Sequence, residues 1–227
     1  MRNHVFCGRD DIIDTIHSNL KGSAPSEVGK DARPMTRKTV VLHGLGGMGK
    51  SSIALEYSFR YSHVYTAVFW VDVTSGTSLS RSARNIAENI VADHAKQGHA
   101  CENDVSILEL RDSLNPIGQI SSDGAAELRI TTAVKEWLAA KHNEEWLLVL
   151  DNYDDVDAVE IHLLLPTCDA GNVIITSRKN NLQMLGKTVA VDEIDEVSGI
   201  RLLLKSANKE EFMAEGKHQS NPSRVID

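Results

Sequence analysis

Residues 40–51 read Val-Val-Leu-His-Gly-Leu-Gly-Gly-Met-Gly-Lys-Ser, and the arrangement of the whole chain follows from this stretch. It begins with an apolar run, which predicts a buried strand. The sequence after it repeats apolar residues at helical spacing, which predicts a helix. Between them lies Gly44, then four residues, then Gly49, Lys50 and Ser51, the spacing of a phosphate-binding loop.

The residue types of this loop suit a polyphosphate. Glycine lets several backbone N–H groups converge on phosphate oxygens, because it has no Cβ and tolerates positive φ. The start of the following helix adds unpaired N–H groups and a positive dipole end. Lys50 is then a mobile charge for the β- and γ-phosphates, and the Ser51 hydroxyl can ligate the bridging Mg²⁺. The alternative is a glycine-rich turn that only joins a strand to a helix. The residues predicted to bind nucleotide here are Gly44, Leu45, Gly46, Gly47, Met48, Gly49, Lys50, Ser51 and Ser52.

Composition excludes several other classes of protein. The chain has 227 residues, of which 41% are hydrophobic and 25% charged, as is usual for a globular domain. A net charge of −8 with scattered basic residues argues against a nucleic-acid surface. The three cysteines form no CxxC pair, which predicts a reducing compartment and no zinc site, and no apolar run approaches the length of a membrane span. We therefore expect a cytoplasmic protein without nucleic-acid or membrane partners.

A second functional stretch is Trp-Leu-Leu-Val-Leu-Asp at residues 146–151. Its apolar run predicts a buried strand that delivers Asp151 to its carboxyl end, where open α/β sheets bind ligands. Asp151 is therefore predicted to hold Mg²⁺, directly or through water. The alternative is a strand that simply stops at an acidic turn.

A further strand is predicted to end at Arg178, whose guanidinium could reach the γ-phosphate and report its presence. A solvated loop arginine is the alternative. His94, His99 and Cys101 lie close together in sequence, but no fourth ligand is in view, so a surface position is preferred over a metal site.

Hydrophobic periodicity predicts the remaining elements and the domain boundaries. Strands are expected at 67–72 and 188–191, and helices at 78–95, 125–141 and 196–212, the last with Val197, Ile200, Leu204 and Ala207 inward. The expected organisation is an N-terminal segment and helix (1–20), a linker or surface loop (21–38), a nucleotide-binding domain (39–213) and a flexible tail (214–227).

Five motifs in this order resemble the NB-ARC class of signal-transduction ATPases, the STAND-type P-loop NTPases found in disease-resistance and cell-death proteins, including members that carry repeat domains. The motifs are Phe-Cys-Gly-Arg (6–9), Gly-Leu-Gly-Gly-Met-Gly-Lys-Ser (44–51), Val-Phe-Trp-Val-Asp-Val (68–73), Leu-Leu-Val-Leu-Asp-Asn (147–152) and Asn-Val-Ile-Ile-Thr-Ser-Arg (172–178).

The resemblance implies an α/β, three-layer P-loop NTPase of the ASCE type, with a five-stranded parallel sheet in the order 5-1-4-3-2 and helices on both faces. It also implies that Val5, Phe6 and Gly8 frame the adenine and that Arg9 lies near the nucleotide. The implied activity is an ATP/ADP switch in immune or cell-death signalling, with Mg²⁺ as cofactor, slow hydrolysis and nucleotide-dependent self-association in a full-length context. The winged-helix and repeat domains of the class are not found, so we expect the nucleotide-binding core alone.

One departure from the class concerns hydrolysis. Many relatives have a second aspartate after the Mg²⁺-binding one, whereas this chain has Asn152, which cannot act as a carboxylate base. Asp154 or Asp155 is the candidate replacement. Two other interpretations stay open: a catalytically active ATPase or phosphotransferase, and a scaffold that keeps its nucleotide without cycling.

Overall fold

Five strands form one parallel sheet at the centre of the molecule. The computed structural model describes residues 5–21, 37–96, 111–112, 114, 124–140 and 143–207. The strands are β1 (Lys38–His43), β2 (Ala67–Asp72), β3 (Trp146–Asp151), β4 (Asn172–Ser177) and β5 (Lys187–Ala190). Their order across the sheet is β2-β3-β4-β1-β5, and all four neighbouring pairs are parallel.

The strands β3 and β4 are the most buried of the five, since every one of their residues is buried. Parallel strands covered on both faces need continuous apolar sequence, which is what residues 146–151 supply. The predicted strand order is confirmed, because 5-1-4-3-2 is the observed order read from the other edge. The strand β4 lies between β1 and β3, as the ASCE type requires.

Helices cover both faces of this sheet, so the predicted three-layer fold is also confirmed. Leu147 and Val149 of β3 point into one core and Leu148 and Leu150 into the other, as alternation along a strand requires. The first core packs against α1 and α2, and the second against α3 and α4. The helices are α1 (Asp10–Lys21), α2 (Lys50–Arg60), α3 (Gly76–Lys96), α4 (Gly124–Ala139) and α5 (Glu196–Ser206).

The last helix differs from the sequence-based expectation. It ends at Ser206, whereas the pattern predicted a helix to residue 212, and residues 208–212 lie outside the described part. Three of the four predicted inward positions were wrong, because Val197 is 61% and Ile200 50% exposed and Ala207 is exposed, whereas Leu204 is half-buried. Periodicity shows which residues share a face, but not whether another element packs on that face.

Two of the predicted segments fall mostly outside the described residues. These are the linker, of which residues 22–36 are not described, and the tail at 214–227. In the described ranges, every helix is too short or too polar to cross a membrane.

Candidate functional site

The loop between β1 and α2 has the backbone shape that its glycines predict. Gly47 and Gly49 adopt φ values of 82° and 86°, in the left-handed region that favours glycine. Gly49 is also the N-cap of α2 and, having no side chain, leaves the first N–H groups of the helix without a side-chain cap. Gly44 is constrained by space, because a Cβ there would lie 2.3 Å from the carbonyl oxygen of Val191. The loop therefore presents an open set of N–H donors to an anion.

Lys50 folds back over this loop. Its Nζ donates hydrogen bonds of 2.8 Å to the carbonyl oxygens of both Gly44 and Leu45. Burial lowers the pKa of the ammonium; Asp154 raises this pKa, Arg178 lowers it, and Asp151 raises it. Two positive and two negative groups thus influence one another at the end of the loop.

Asp151 lies beneath the loop as the centre of a hydrogen-bonded set. One carboxylate oxygen, Oδ1, accepts the Ser51 hydroxyl at 2.7 Å and the Thr176 hydroxyl at 2.5 Å. The side chains predicted from the two motifs are therefore in direct contact, and Asp151 is only 8% exposed.

These oxygen donors fit Mg²⁺ in chemistry, since Mg²⁺ takes one or two protein oxygens and completes its shell with phosphate and water. Within the described ranges, no group of three or more His, Cys, Asp or Glu side chains could hold a metal ion. A metal here would thus depend on the nucleotide for further ligands. His99 and Cys101 lie outside the described residues, and His94 forms no such group with described residues.

Asn152 follows Asp151 in a strained conformation. Its φ is 66°, and its N–H donates to the Thr176 hydroxyl at 2.9 Å. The side-chain amide nitrogen lies 3.5 Å from Asp151 Oδ2. The amide at this position makes at most a weak contact with Asp151, and it cannot accept a proton from water.

Asp154 and Asp155, the two candidate replacement bases, are placed differently. Asp154 is paired with Arg178, whose Nε lies 3.1 Å from Oδ2. Asp155 is exposed, and its carboxylate accepts the backbone N–H groups of Asp157 and Ala158 at 3.3 and 3.1 Å. The structure thus brings Asp154 and Arg178 to the site but turns the Asp155 carboxylate toward its own turn.

Two adjoining clefts meet at the loop. The first, of about 290 Å³, lies at the phosphate end and is lined by Gly46, Gly47, Gly49, Lys50, Ser51, Ser52, Asn152, Asp154, Thr176, Ser177 and Arg178. The second, of about 430 Å³, is mostly apolar and is lined by Phe6, Cys7, Arg9, Gly47, Met48, Gly49, Ser52, Ile53, Glu193, Ile194 and Leu202. A polar compartment next to an apolar one suits a phosphorylated ligand with a flat, apolar head group.

The N-terminal segment forms one wall of the apolar cleft. Phe6 and Arg9 line it, and Arg9 Nη2 donates to the Asp192 carbonyl at 2.5 Å. Gly8 has a φ of 67° and lies so close to Ser198 of α5 that a Cβ would come within 2.8 Å of its hydroxyl oxygen. Val5 precedes these residues but is not part of the lining.

Sequence reasoning missed one wall of this cleft. Glu193, Ile194 and Leu202 complete it from the segment after β5 and from α5. They carry no motif, and only their position after the last strand of the sheet could have pointed to them.

Comparison with known proteins gives a family and one relative. The profile of the AAA ATPase domain matches residues 6–175. A nucleotide-binding leucine-rich repeat (NLR)-like protein of Hyaloscypha variabilis is 24% identical over 221 residues, which cover 89% of this chain and 19% of the relative. The chain thus spans about a fifth of that relative's length.

A solved structure of a DNA replication initiation factor is also similar, at 14% identity and a TM-score of 0.41, over 88% of this chain and 50% of that one. Because the AAA ATPase domain covers most of the sequence and its phosphate loop is formed in the fold, this chain belongs to the AAA ATPase domain family.

Proposed function

We propose that this chain is an ATP- and ADP-binding switch module of the NB-ARC kind, which cycles slowly in immune or cell-death signalling. The observation that carries the proposal is the contact of Ser51 and Thr176 with Asp151 directly beneath the phosphate loop. A strand-tip carboxylate bonded to the loop serine is the arrangement needed to hold Mg²⁺ against a bound triphosphate.

The apolar cleft supports a nucleoside ligand. It adjoins the phosphate-end cleft through Gly47, Gly49 and Ser52, so a nucleotide could occupy both with its phosphates at Lys50. Adenine is proposed as the base because the wall formed by Phe6 and Arg9 comes from the segment that frames adenine in the NB-ARC class.

Slow hydrolysis follows from the groups around the γ-phosphate position. Asn152 cannot take a proton. Both oxygens of Asp154 are engaged by Arg178, since Oδ1 accepts its backbone N–H and Oδ2 pairs with its guanidinium. The groups nearest the proposed Mg²⁺ position can therefore orient the attacking water but do not deprotonate it. A bound nucleotide that is slowly hydrolysed can act as a timed signal.

The signalling role rests on the NLR-like relative and on the order of the five motifs. In a longer protein, we propose that exchange of ADP for ATP drives self-association. The domains that would report this change are not part of the described fold.

Titration with fluorescent ADP tests the proposal, with Lys50→Ala as the variant. Loss of Lys50 should weaken binding by about tenfold or more, because a charge-assisted contact to phosphate is removed. Lys187→Ala is the matched control, since Lys187 is exposed on β5 and lines neither cleft. Equal binding by the Lys50 variant and wild type would contradict the proposal.

Turnover decides between the switch and its alternatives. We expect ATP hydrolysis well below about one per second, the lower end of ordinary enzymes. Faster turnover would indicate an active ATPase instead. A nucleotide that never exchanges, even over hours, would indicate a scaffold.

A further inference from the structure

Asp154 holds Arg178 at two points. Its Oδ1 accepts the backbone N–H of Arg178 at 2.7 Å, and its Oδ2 lies 3.1 Å from the guanidinium Nε. The Ser177 hydroxyl, which donates to the Tyr153 carbonyl at 2.5 Å, lies 3.4 Å from the same Oδ1. Asp154 therefore fixes both the main chain and the side chain at the end of β4.

This pair lies beside the phosphate loop. The guanidinium carbon of Arg178 is 3.7 Å from the place where a Cβ on Gly46 would lie, and Arg178 and Asp154 line the phosphate-end cleft together with Lys50. The side chains of Arg178 and Asp154 are 70% and 35% exposed, so neither is locked in place by packing. Arg178 can therefore exchange one anionic partner for another without disturbing the core.

A γ-phosphate in this cleft would compete with Asp154 for Arg178. Both anions bind the same guanidinium, since the oxygens of phosphate and of carboxylate both match its planar set of N–H donors. ADP has no γ-phosphate and leaves the Asp154–Arg178 pair intact. Asp154 occupies the Nε side of the guanidinium, so a γ-phosphate that turns this group toward itself draws it away from the carboxylate, which lowers the net gain from the third phosphate.

Resting on the proposed nucleotide-binding function, we propose that Asp154 sets the preference for ADP over ATP by competing with the γ-phosphate for Arg178. Asp154 is then a specificity-determining residue and not a proton acceptor. The carboxylate restrains the ATP state until the γ-phosphate displaces it, which gives the switch a bias toward ADP.

Asp154→Asn tests this inference, because asparagine keeps an acceptor oxygen for the Arg178 N–H but removes the charge. The measured quantity is the ratio of the dissociation constants for ATPγS and ADP, both with Mg²⁺. An ion pair this exposed is worth up to about fivefold in affinity. We expect the ratio to fall by about that factor, mainly through tighter ATPγS binding. Asp155→Asn is the matched control and should leave the ratio unchanged.

A double-mutant cycle shows whether Asp154 acts through the arginine. Arg178→Ala alone should weaken ATPγS more than ADP. In the Arg178→Ala background, Asp154→Asn should no longer change the ratio. A change of equal size in both backgrounds would overturn the inference, since Asp154 would then act on the phosphate directly.

The outcomes also separate this inference from the proposed function. If wild type binds neither nucleotide, the proposed function fails and this inference with it. If wild type binds both and Asp154→Asn leaves the ratio unchanged, only the inference is overturned. Circular dichroism of each variant establishes that it is folded before its affinity is compared.

Discussion

At the scale of single residues, the proposed Mg²⁺ position rests on Asp151. We expect Asp151→Asn to lose most of the Mg²⁺-dependent gain in nucleotide affinity, about tenfold or more, because an amide is a poorer metal ligand than a carboxylate. The fold should persist, since the amide oxygen can still accept the Ser51 and Thr176 hydroxyls. The measurement is the dissociation constant for ADP with Mg²⁺ and with EDTA.

Asp72→Asn is the matched control for this variant. Asp72 ends the neighbouring strand β2, in register with Asp151, and its Oδ1 accepts the backbone N–H of Thr74 at 3.0 Å. This contact lies outside both clefts, so the Mg²⁺ dependence of the control should match that of wild type. Unchanged Mg²⁺ dependence in Asp151→Asn would show that the metal is held elsewhere.

The sequence identified individual side chains of the candidate site, but it did not predict the pairing of Asp154 with Arg178. Spacing alone pointed to Lys50, Ser51 and Asp151, because the loop and the strand tip each occupy a fixed place in a parallel α/β sheet. The pairing of Asp154 with Arg178 could not be read in the same way. It depends on how closely two strand ends approach and on the turn that Asn152 makes with its positive φ.

At the scale of elements, α2 and the N-terminal segment are joined by Arg60. Its Nε lies 2.8 Å from Oε1 of Glu56, which is 2% exposed, and its Nη1 lies 2.6 Å from Oδ1 of Asp10. The guanidinium carbon is also 5.7 Å from the ring centroid of Phe6, which lines the apolar cleft. The arginine therefore ties the wall of the apolar cleft to the helix that follows the phosphate loop.

Arg60→Ala should weaken ADP binding but leave tripolyphosphate binding nearly unchanged. The reason is that the variant loosens Phe6 without altering the loop at the opposite end of α2. A loss of about fivefold to tenfold for ADP is expected if one well-placed contact worth about 1 kcal/mol or slightly more is lost. Competition with a fluorescent nucleotide measures both ligands.

Arg129→Ala provides the control, since Arg129 is exposed on α4, which packs on the opposite face of the sheet. An equal loss for ADP and tripolyphosphate in Arg60→Ala would show a general effect on the fold and contradict the assigned role. The same would follow if the control lost as much affinity as Arg60→Ala.

Most helices and strands could be predicted from the sequence because they are buried, and the helix α5 is the exception because its apolar face is exposed. β3 and β4 are buried on both faces, and a continuous apolar run of strand length is typical of such strands. The helix α5 also has an apolar face, yet Val197 and Leu203 are 61% and 70% exposed. Burial is a property of two packed surfaces, and a sequence pattern describes only one.

At the scale of the whole molecule, the two clefts draw on parts of the chain that are far apart in sequence. The N-terminal segment, the phosphate loop, the ends of β3 and β4 and the segment before α5 all supply lining residues. The N-terminal segment already packs against the end of the chain that follows β5, because Ile12 and Ile13 share a core with Val191 and Arg9 donates to the Asp192 carbonyl. A ligand that fills both clefts would therefore add contacts among parts of the chain that are distant in sequence.

Mg²⁺-ADP should consequently stabilise the folded chain against heat. A ligand that binds only the native state adds about 2.7 kcal/mol at a concentration one hundred times its dissociation constant. For a domain of this size, that raises the midpoint of thermal unfolding by about 5 to 10 °C. Differential scanning fluorimetry with increasing ADP measures this shift.

The Lys50→Ala variant makes the test specific to the phosphate loop. Its own midpoint should lie close to that of wild type, because the Nζ contacts only the carbonyl oxygens of Gly44 and Leu45 among the described hydrogen bonds. Its midpoint should hardly move when Mg²⁺-ADP is added at the wild-type saturating concentration. A full shift in this variant would mean that ADP stabilises the chain from a surface other than the phosphate loop, and would contradict the assignment of the nucleotide to the two clefts.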